Sequence, residues 1–335
     1  MKAVYIKEFG GAENLEIRET ENPPAPRDKE VLIRVRAAGL NRADILQRRG
    51  FYPAPPGAHE RIPGLEFAGE IAEIGKNVED FQTGERVFGI AAGGAQAEYL
   101  LSEESLLVQI PDNLSFAEAA AVPEAFVTAA DAIFTQGNLQ SGETLLVHAV
   151  GSGVGLAALQ LAKSKNIYTI GTSRTSDKLK RCGDYGLDCG ILIDTNSIAA
   201  DPQQFADKIK IKTGGKGVDV ILDLVGASYF SANLQSLAVK GRLILIGLTG
   251  GAAAKEFNLG TALSKRLKII GTVLRSRSAE EKAEATRVFA DEVVPLLASG
   301  KIKPNTDRRF KAKEIREAHE YLESNQSFGK VILEF

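Results

Sequence analysis

The rhythm of apolar and polar positions changes along the chain. Up to about residue 122 it consists of short runs. Val31, Ile33 and Val35 alternate with Leu32, Arg34 and Arg36, which predicts a strand with one packed face and one largely wet face. Weaker alternation over 2–7 and 15–18, and strand-like pieces at 69–74, 86–90, 97–101 and 106–110, are separated by glycine, proline and acidic turns. This predicts a β-rich, barrel-like domain. Residues 41–49 (NRADILQRR) break the habit as a short helix. The proline-rich loop GFYPAPPGAHERIPG follows, a natural wall or lid for a site.

From about Ser115 the period becomes helical. Residues 116–132 are Ala-rich, with Pro123 as a start or a break. Apolar strand runs then recur at 144–149, 168–172, 190–194, 218–224, 243–248 and 267–273. Helical segments at 156–164, 177–185, 202–213 and 229–237 lie between most of them. Six apolar strands with crossovers predict an open parallel sheet covered on both faces. The tail carries amphipathic helices at 280–297 and 313–323 and a strand at 330–335 that can pair back with the first domain. The expected organisation is therefore a β-rich domain over 1–122, a doubly wound domain over 123–265, and a return segment over 266–335 that completes the first domain.

The chain is organised around TLLVHAVGSGVGLAALQL at 144–161: an uncharged strand, a glycine cluster, then a helix. Gly151, Gly153 and Gly155 permit a tight turn and close backbone approach. The unpaired N–H groups and dipole of a helix start suit a pyrophosphate, the logic of a dinucleotide-binding turn. A literal G-x-G-x-x-G would need glycine at 156, where Leu156 stands. About twenty residues on, an acid would hold the ribose hydroxyls of NAD. Ser173 occupies that place, with Arg174 and Lys178 nearby. A hydroxyl and two cations favour a 2′-phosphate, hence NADPH over NADH, although both cations also suit a solvated helix start.

The net charge of −2 supplies no basic field for nucleic acid. No secretory pattern opens the sequence and no apolar run reaches membrane-spanning length, so no membrane partner and a cytoplasmic location are expected. Two cysteines, Cys182 and Cys189, read as free thiols. With three scattered histidines, no metal site is expected. His148, just before the turn, reads as a structural histidine satisfied by backbone.

Several segments in order, GLNRAD, QRRGFYPAPPG, PGLEFAGEI, AAAVPEAFVTA, VHAVGSGVG, LDLVG, LIGLTGG, LRSR and FGKVILE, resemble the zinc-free branch of the medium-chain dehydrogenase/reductases. The nearest likeness is to the ζ-crystallin-like NADPH:quinone oxidoreductases and their p53-inducible group. The resemblance implies an α/β fold: a GroES-like β-rich catalytic domain plus a Rossmann doubly wound, parallel, six-stranded sheet, with NADPH in the cleft between them. Zinc-dependent relatives carry Cys where Asn41 stands and His where Leu65 stands, so no zinc site is implied. Asn41 and Thr128 are implied near the nicotinamide, Tyr52 beside a quinone as hydrogen-bond donor, and Ser152 with Gly151, Gly153 and Val154 at the turn, its hydroxyl or backbone on the phosphate or nicotinamide side; Tyr52, Asn41 and Ser152 are the implied catalytic residues. Val225, Ile246 and Gly247 would line the cofactor edge, while Leu274, Arg275, Ser276, Gly329 and Lys330 would close the site. Arg275 reads equally well as a solvated surface residue. Several relatives place Tyr against the 2′-phosphate where Ile193 and Asp194 stand, and an acid there opposes NADPH. The implied reaction is zinc-independent NADPH:quinone reduction. Alternatives are reduction of an enone or alkenal double bond, or an NADPH-binding protein with little activity. A homodimer is implied, with 243–251 as an apolar sheet-edge strand.

Overall fold

The computed structural model describes residues 1–335, the side chains at 195–197 excepted. The chain divides into two bodies, one of residues 1–127 and 274–335, the other of residues 128–273. Both divisions fall a few residues beyond the boundaries expected at 122 and 265.

The first body opens with the antiparallel pair β1 (Lys2–Ile6) and β2 (Leu15–Glu19). β3 (Glu30–Leu40), α1 (Arg42–Arg48), β4 (Glu66–Ile74), β5 (Arg86–Ile90), β6 (Tyr99–Glu103) and β7 (Leu107–Gln109) follow. The alternating Val31, Ile33 and Val35 pack on Phe67, Ile71, Val87 and Leu100. The Ala-rich stretch is two helices that divide at Pro123, where the sequence marks a start or a break. Ser115 and Glu118 cap α2 (Phe116–Ala119), and Pro123, which cannot continue a helix, starts α3 (Pro123–Ala130).

In the second body come β8 (Thr144–Val147), α4 (Gly153–Ser164), β9 (Tyr168–Ser173), α5 (Ser176–Cys182), β10 (Cys189–Leu192), α6 (Thr195–Ala200) and α7 (Pro202–Lys212). β11 (Val218–Asp223), α8 (Phe230–Ser236), β12 (Leu237–Leu245), α9 (Leu259–Lys265) and β13 (Lys268–Gly271) complete it. All six strands are parallel in the order β10-β9-β8-β11-β12-β13, the doubly wound arrangement with its crossover reversal between β8 and β11. Leu146, Ile170, Ile221 and Leu243 pack under Phe205, Ile209 and Leu234 from the covering helices.

The strand expected to lie at the sheet edge does not. Residues 243–245 sit inside the sheet, with β11 on one side and β13 on the other. β13 is the edge. Its KIIG sequence is too short for apolar periodicity to indicate which strand comes last.

The chain then returns to the first body through α10 (Ala279–Glu292), α11 (Val294–Ala298), β14 (Thr306–Lys311), α12 (Ile315–Glu323) and β15 (Lys330–Glu334). β15 pairs antiparallel with β3, Val331 opposite Leu40. β14 then pairs with β15 as the outer strand of a seven-stranded sheet. Its sequence, TDRRFK, has the charge typical of an edge and no apolar alternation.

Candidate functional site

In the first body the predicted residues converge on one buried polar cluster. Asn41 occupies the N-cap position of α1, but its side chain makes no cap bond. Instead its Nδ2 donates to Glu66 Oε1 at 2.8 Å, and its Oδ1 accepts from Lys330 Nζ at 2.6 Å. Lys330 also donates to Leu40 O at 3.0 Å and forms an ion pair with Glu66. Glu66 is fully buried, and its other oxygen accepts from the Glu124 backbone N–H at 2.9 Å. Close approach requires glycine here, since a Cβ at Gly39 would meet the Glu66 carboxylate and, at 2.7 Å, Ala120 O. The start of α1 is held by Asp44, whose two oxygens accept from Asn41 N at 2.7 Å and Gly64 N at 3.0 Å. Burial pushes the Asp44 carboxyl up to about 6 despite these donors.

Tyr52 is half-buried beneath Arg275, whose guanidinium carbon lies 4.9 Å from the ring centroid. Arg275 is 4 % exposed. Its Nε donates to Ala92 O at 2.7 Å, Nη1 to Tyr52 O at 3.3 Å, and Nη2 to Gln47 Oε1 at 2.7 Å. The solvated-surface reading of Arg275 is therefore wrong. Five donors in a fixed fork let one side chain pin the proline-rich loop to α1. Burial, then the charge of Glu124, raises the Tyr52 phenol above its ordinary value, so the phenol keeps its proton at neutral pH. Leu274 is buried beside Arg275, Ser276 is exposed, and Gly329 adopts φ +97° ahead of Lys330.

In the second body the remaining residues, Thr128 on α3 apart, lie at or just after the ends of the parallel strands or on the helix that follows. Ser152 caps α4, its Oγ accepting from Gly155 N at 3.1 Å. That hydroxyl holds the turn, leaving the first-turn amides of Gly153 and Val154 as the anion-facing groups. Gly155, rather than residue 156, supplies the close approach: a Cβ there would sit 2.5 Å from Val150 O. Gly151 completes the turn, and Ala149 adopts φ +49° at its entrance. Ser173 ends β9 at 7 % exposure, its Oγ accepting from Thr175 N at 3.2 Å. Arg174 is exposed and Lys178 half-buried on α5. Ile193 N donates to Ser173 O at 3.0 Å, which brings the end of β10 beside Ser173, with Asp194 exposed. Val225 follows β11, Ile246 and Gly247 follow β12, and Thr128 is half-buried on α3.

His148 is held by side chains, not by backbone. Its Nδ1 faces Thr172 Oγ1 at 2.9 Å and its Nε2 faces Asn233 Oδ1 at 2.7 Å. Asn233 Nδ2 donates to Asp223 Oδ2 at 2.9 Å, so Asn233 Oδ1 is an acceptor and His148 carries its proton on Nε2. Burial lowers the His148 pKa and keeps it neutral. Asp223 Oδ1 accepts from the amides of Val225 and Gly226 at 2.7 and 3.0 Å, so the network shapes the turn after β11.

A nicotinamide dinucleotide fits the second body: the capped 12-residue helix after a glycine turn presents amides to a diphosphate, and no carboxylate ends β9. Zinc does not fit the first body. Asn41 is committed to Glu66 and Lys330, Leu65 is buried and has no donor atom, and an ammonium already neutralises Glu66. Sequence reasoning missed Asp44 and Glu124. Both stand in motifs, GLNRAD and PEAF, but only the fold brings them to Glu66.

Two family profiles match: an alcohol dehydrogenase GroES-like domain over residues 27–112 and a zinc-binding dehydrogenase over residues 153–291. A quinone oxidoreductase of Rattus norvegicus is 33% identical over 335 residues, covering 99% of this chain and 97% of that protein. A mycobacterial structure in complex with NADPH superposes with TM-score 0.88 at 28% identity, over 100% of both chains. The CurK enoyl reductase structure does so with TM-score 0.85 at 26% identity, over 99% of this chain and 98% of that one. With the GroES-like body, the doubly wound sheet and the full-length likeness together, the chain belongs to the medium-chain dehydrogenase/reductase family of oxidoreductases, among its ζ-crystallin-like members.

Proposed function

We propose that the protein is a zinc-independent quinone reductase that uses NADPH. The observation that carries this reading is the Asn41–Glu66–Lys330 cluster, which replaces a metal donor set with a neutralised, hydrogen-bonded carboxylate. Alcohol oxidation gains greatly from a Lewis acid, whereas a quinone is already electrophilic. NADPH, when bound, supplies two electrons as hydride. Gly151, Ser152, Gly153 and Val154 would hold its diphosphate. Ser173, Arg174 and Lys178 would meet its 2′-phosphate, and Thr128, Val225, Ile246 and Gly247 would line its length. Asn41, positioned by Lys330, orients the reacting end, and the Tyr52 phenol donates to a substrate oxygen as negative charge develops there. Arg275 acts by fixing the Tyr52 loop.

Steady-state turnover of ortho-quinones, para-quinones and simple enones with NADPH and NADH tests the reading. Quinone turnover at least about tenfold above enone turnover in kcat/KM is expected. A reversed ratio favours double-bond reduction, which the likeness to an enoyl reductase also supports. NADPH binding without turnover of either class favours a binding protein.

Assembly as a homodimer is part of the proposal, through the β13 edge rather than residues 243–251. Ile269, Val273, Leu259 and Leu263 are exposed around that edge. Sedimentation that gives a concentration-independent monomer removes it.

A further inference from the structure

The first body holds three neighbouring carboxyls, and two of them are fully provided for. Glu66 has Lys330, Asn41 Nδ2 and the Glu124 amide. Asp44 has two backbone donors. Arg275 spends its donors on two carbonyls and an amide oxygen, all neutral. The Glu124 carboxyl is left: among the described residues no cation lies within ion-pair distance of it and no donor is bonded to it. It is also the only one of the three with residual exposure, since Asp44 and Glu66 are at 0 %. Its own backbone N–H is bonded to Glu66, and the charges that act on its carboxyl include those of Glu66, Lys330, Asp44 and Arg275.

We propose that Glu124 is the proton donor of the reduction, working beside the Tyr52 phenol; this rests on the quinone-reductase reading above. An uncompensated carboxyl in such a place keeps its proton because ionising it would put a second negative charge beside Glu66. Burial, then the Glu66 charge, accordingly pushes Glu124 up to about 8. Lys330, Arg275 and Lys282 act in the opposite direction and Asp44 in the same one. Reduction of a quinone to a hydroquinone needs two electrons and two protons. Hydride from the reduced nicotinamide brings both electrons and one proton. The second proton leaves the Glu124 carboxyl, its O–H bond breaking as the substrate O–H bond forms. Water then reprotonates the carboxylate. A donor that holds its proton at neutral pH and releases it readily has the pKa such a step requires.

Infrared titration of the cofactor-free protein reads the proton directly. The wild type should show a protonated-carboxyl band lost with a midpoint near pH 8, and Glu124→Gln should lack it. With NADPH and a para-quinone, Glu124→Gln should lower kcat about 100-fold at pH 7 and abolish the fall in wild-type kcat above pH 8. Its KM and NADPH affinity should stay within about twofold, and Glu124→Asp should recover part of kcat. A Glu124→Gln enzyme with near wild-type kcat and an unchanged alkaline limb overturns the donor role, as does a wild type without the band. A wild type that shows the band but reduces no quinone overturns the quinone reading and leaves the proton on Glu124 established.

Discussion

Lys330 Nζ donates to Asn41 Oδ1 at 2.6 Å, joining residues 289 positions apart in the same body. The same ammonium neutralises Glu66, so one cation from the returning chain completes a cluster begun near the N-terminus. Lys330→Met should strand a buried carboxylate and destabilise the protein by about 3 kcal/mol, with Lys330→Arg retaining most of the stability. Urea unfolding of both variants at pH 7 checks this. Equal loss in both would show that packing, not charge, matters at 330.

Tyr52→Phe removes the phenol but leaves the ring under Arg275. kcat for quinones should fall about tenfold, with NADPH affinity unchanged. Arg275→Met should raise KM as well, because the hydrogen bonds that tie the Tyr52 loop to α1 and to the segment after β5 are lost. Steady-state kinetics separates the two patterns.

Ser173→Asp places a carboxylate at the end of β9, where the buried hydroxyl now stands. It should reverse the preference between NADPH and NADH by repelling the 2′-phosphate. Fluorescence titration of both nucleotides measures the ratio. Unchanged affinities would mean that Ser173, Arg174 and Lys178 do not meet a 2′-phosphate.

His319 is fully buried beside Arg48, Nδ1 to Nη1 at 3.4 Å, and burial holds its pKa down to about 3. The unfolded chain takes up this proton near pH 6.5 and the native state only near 3. Stability should therefore be full above about pH 6.5 and decline through that window, by roughly 2–4 kcal/mol. In His319→Gln the decline should be shallower by that amount, as thermal melts from pH 7 to 3.5 would show.

Glu124 reverses that sign. Its raised native pKa means the ionised form disfavours folding, so stability is lost as pH rises from about 4.5 through 8. Glu124→Gln should melt higher than wild type at pH 8.5 and nearly equal to it at pH 4.5.

The doubly wound sheet is readable in the sequence because strands buried on both faces are written as uncharged runs such as TLLV and VDVILD, each followed by a helix. Which strand lies at the edge is not readable, since periodicity carries no neighbour order. For that reason 243–251 reads as an edge although β13 is the edge. β14 is silent in the sequence because an outer strand rich in Arg and Lys has no apolar alternation to detect. At the site, Asn41, Tyr52 and Lys330 are visible as parts of motifs. The link between Glu66 and Lys330 spans almost the whole chain, and nothing local encodes it. Arg275 reads as a surface cation in the sequence because two of its three acceptors, Ala92 O and Tyr52 O, are backbone atoms that any residue would provide.

The pairing of β15 with β3 also sets a timetable during synthesis. Lys330 leaves the ribosome 290 residues after Leu40, its backbone partner. At typical elongation rates this is about 15–60 s. Until Lys330 arrives, the flank of β3 that β15 will cover stays open on the nascent polypeptide and Glu66 lacks its ammonium partner, so a chain terminated before residue 330 lacks both.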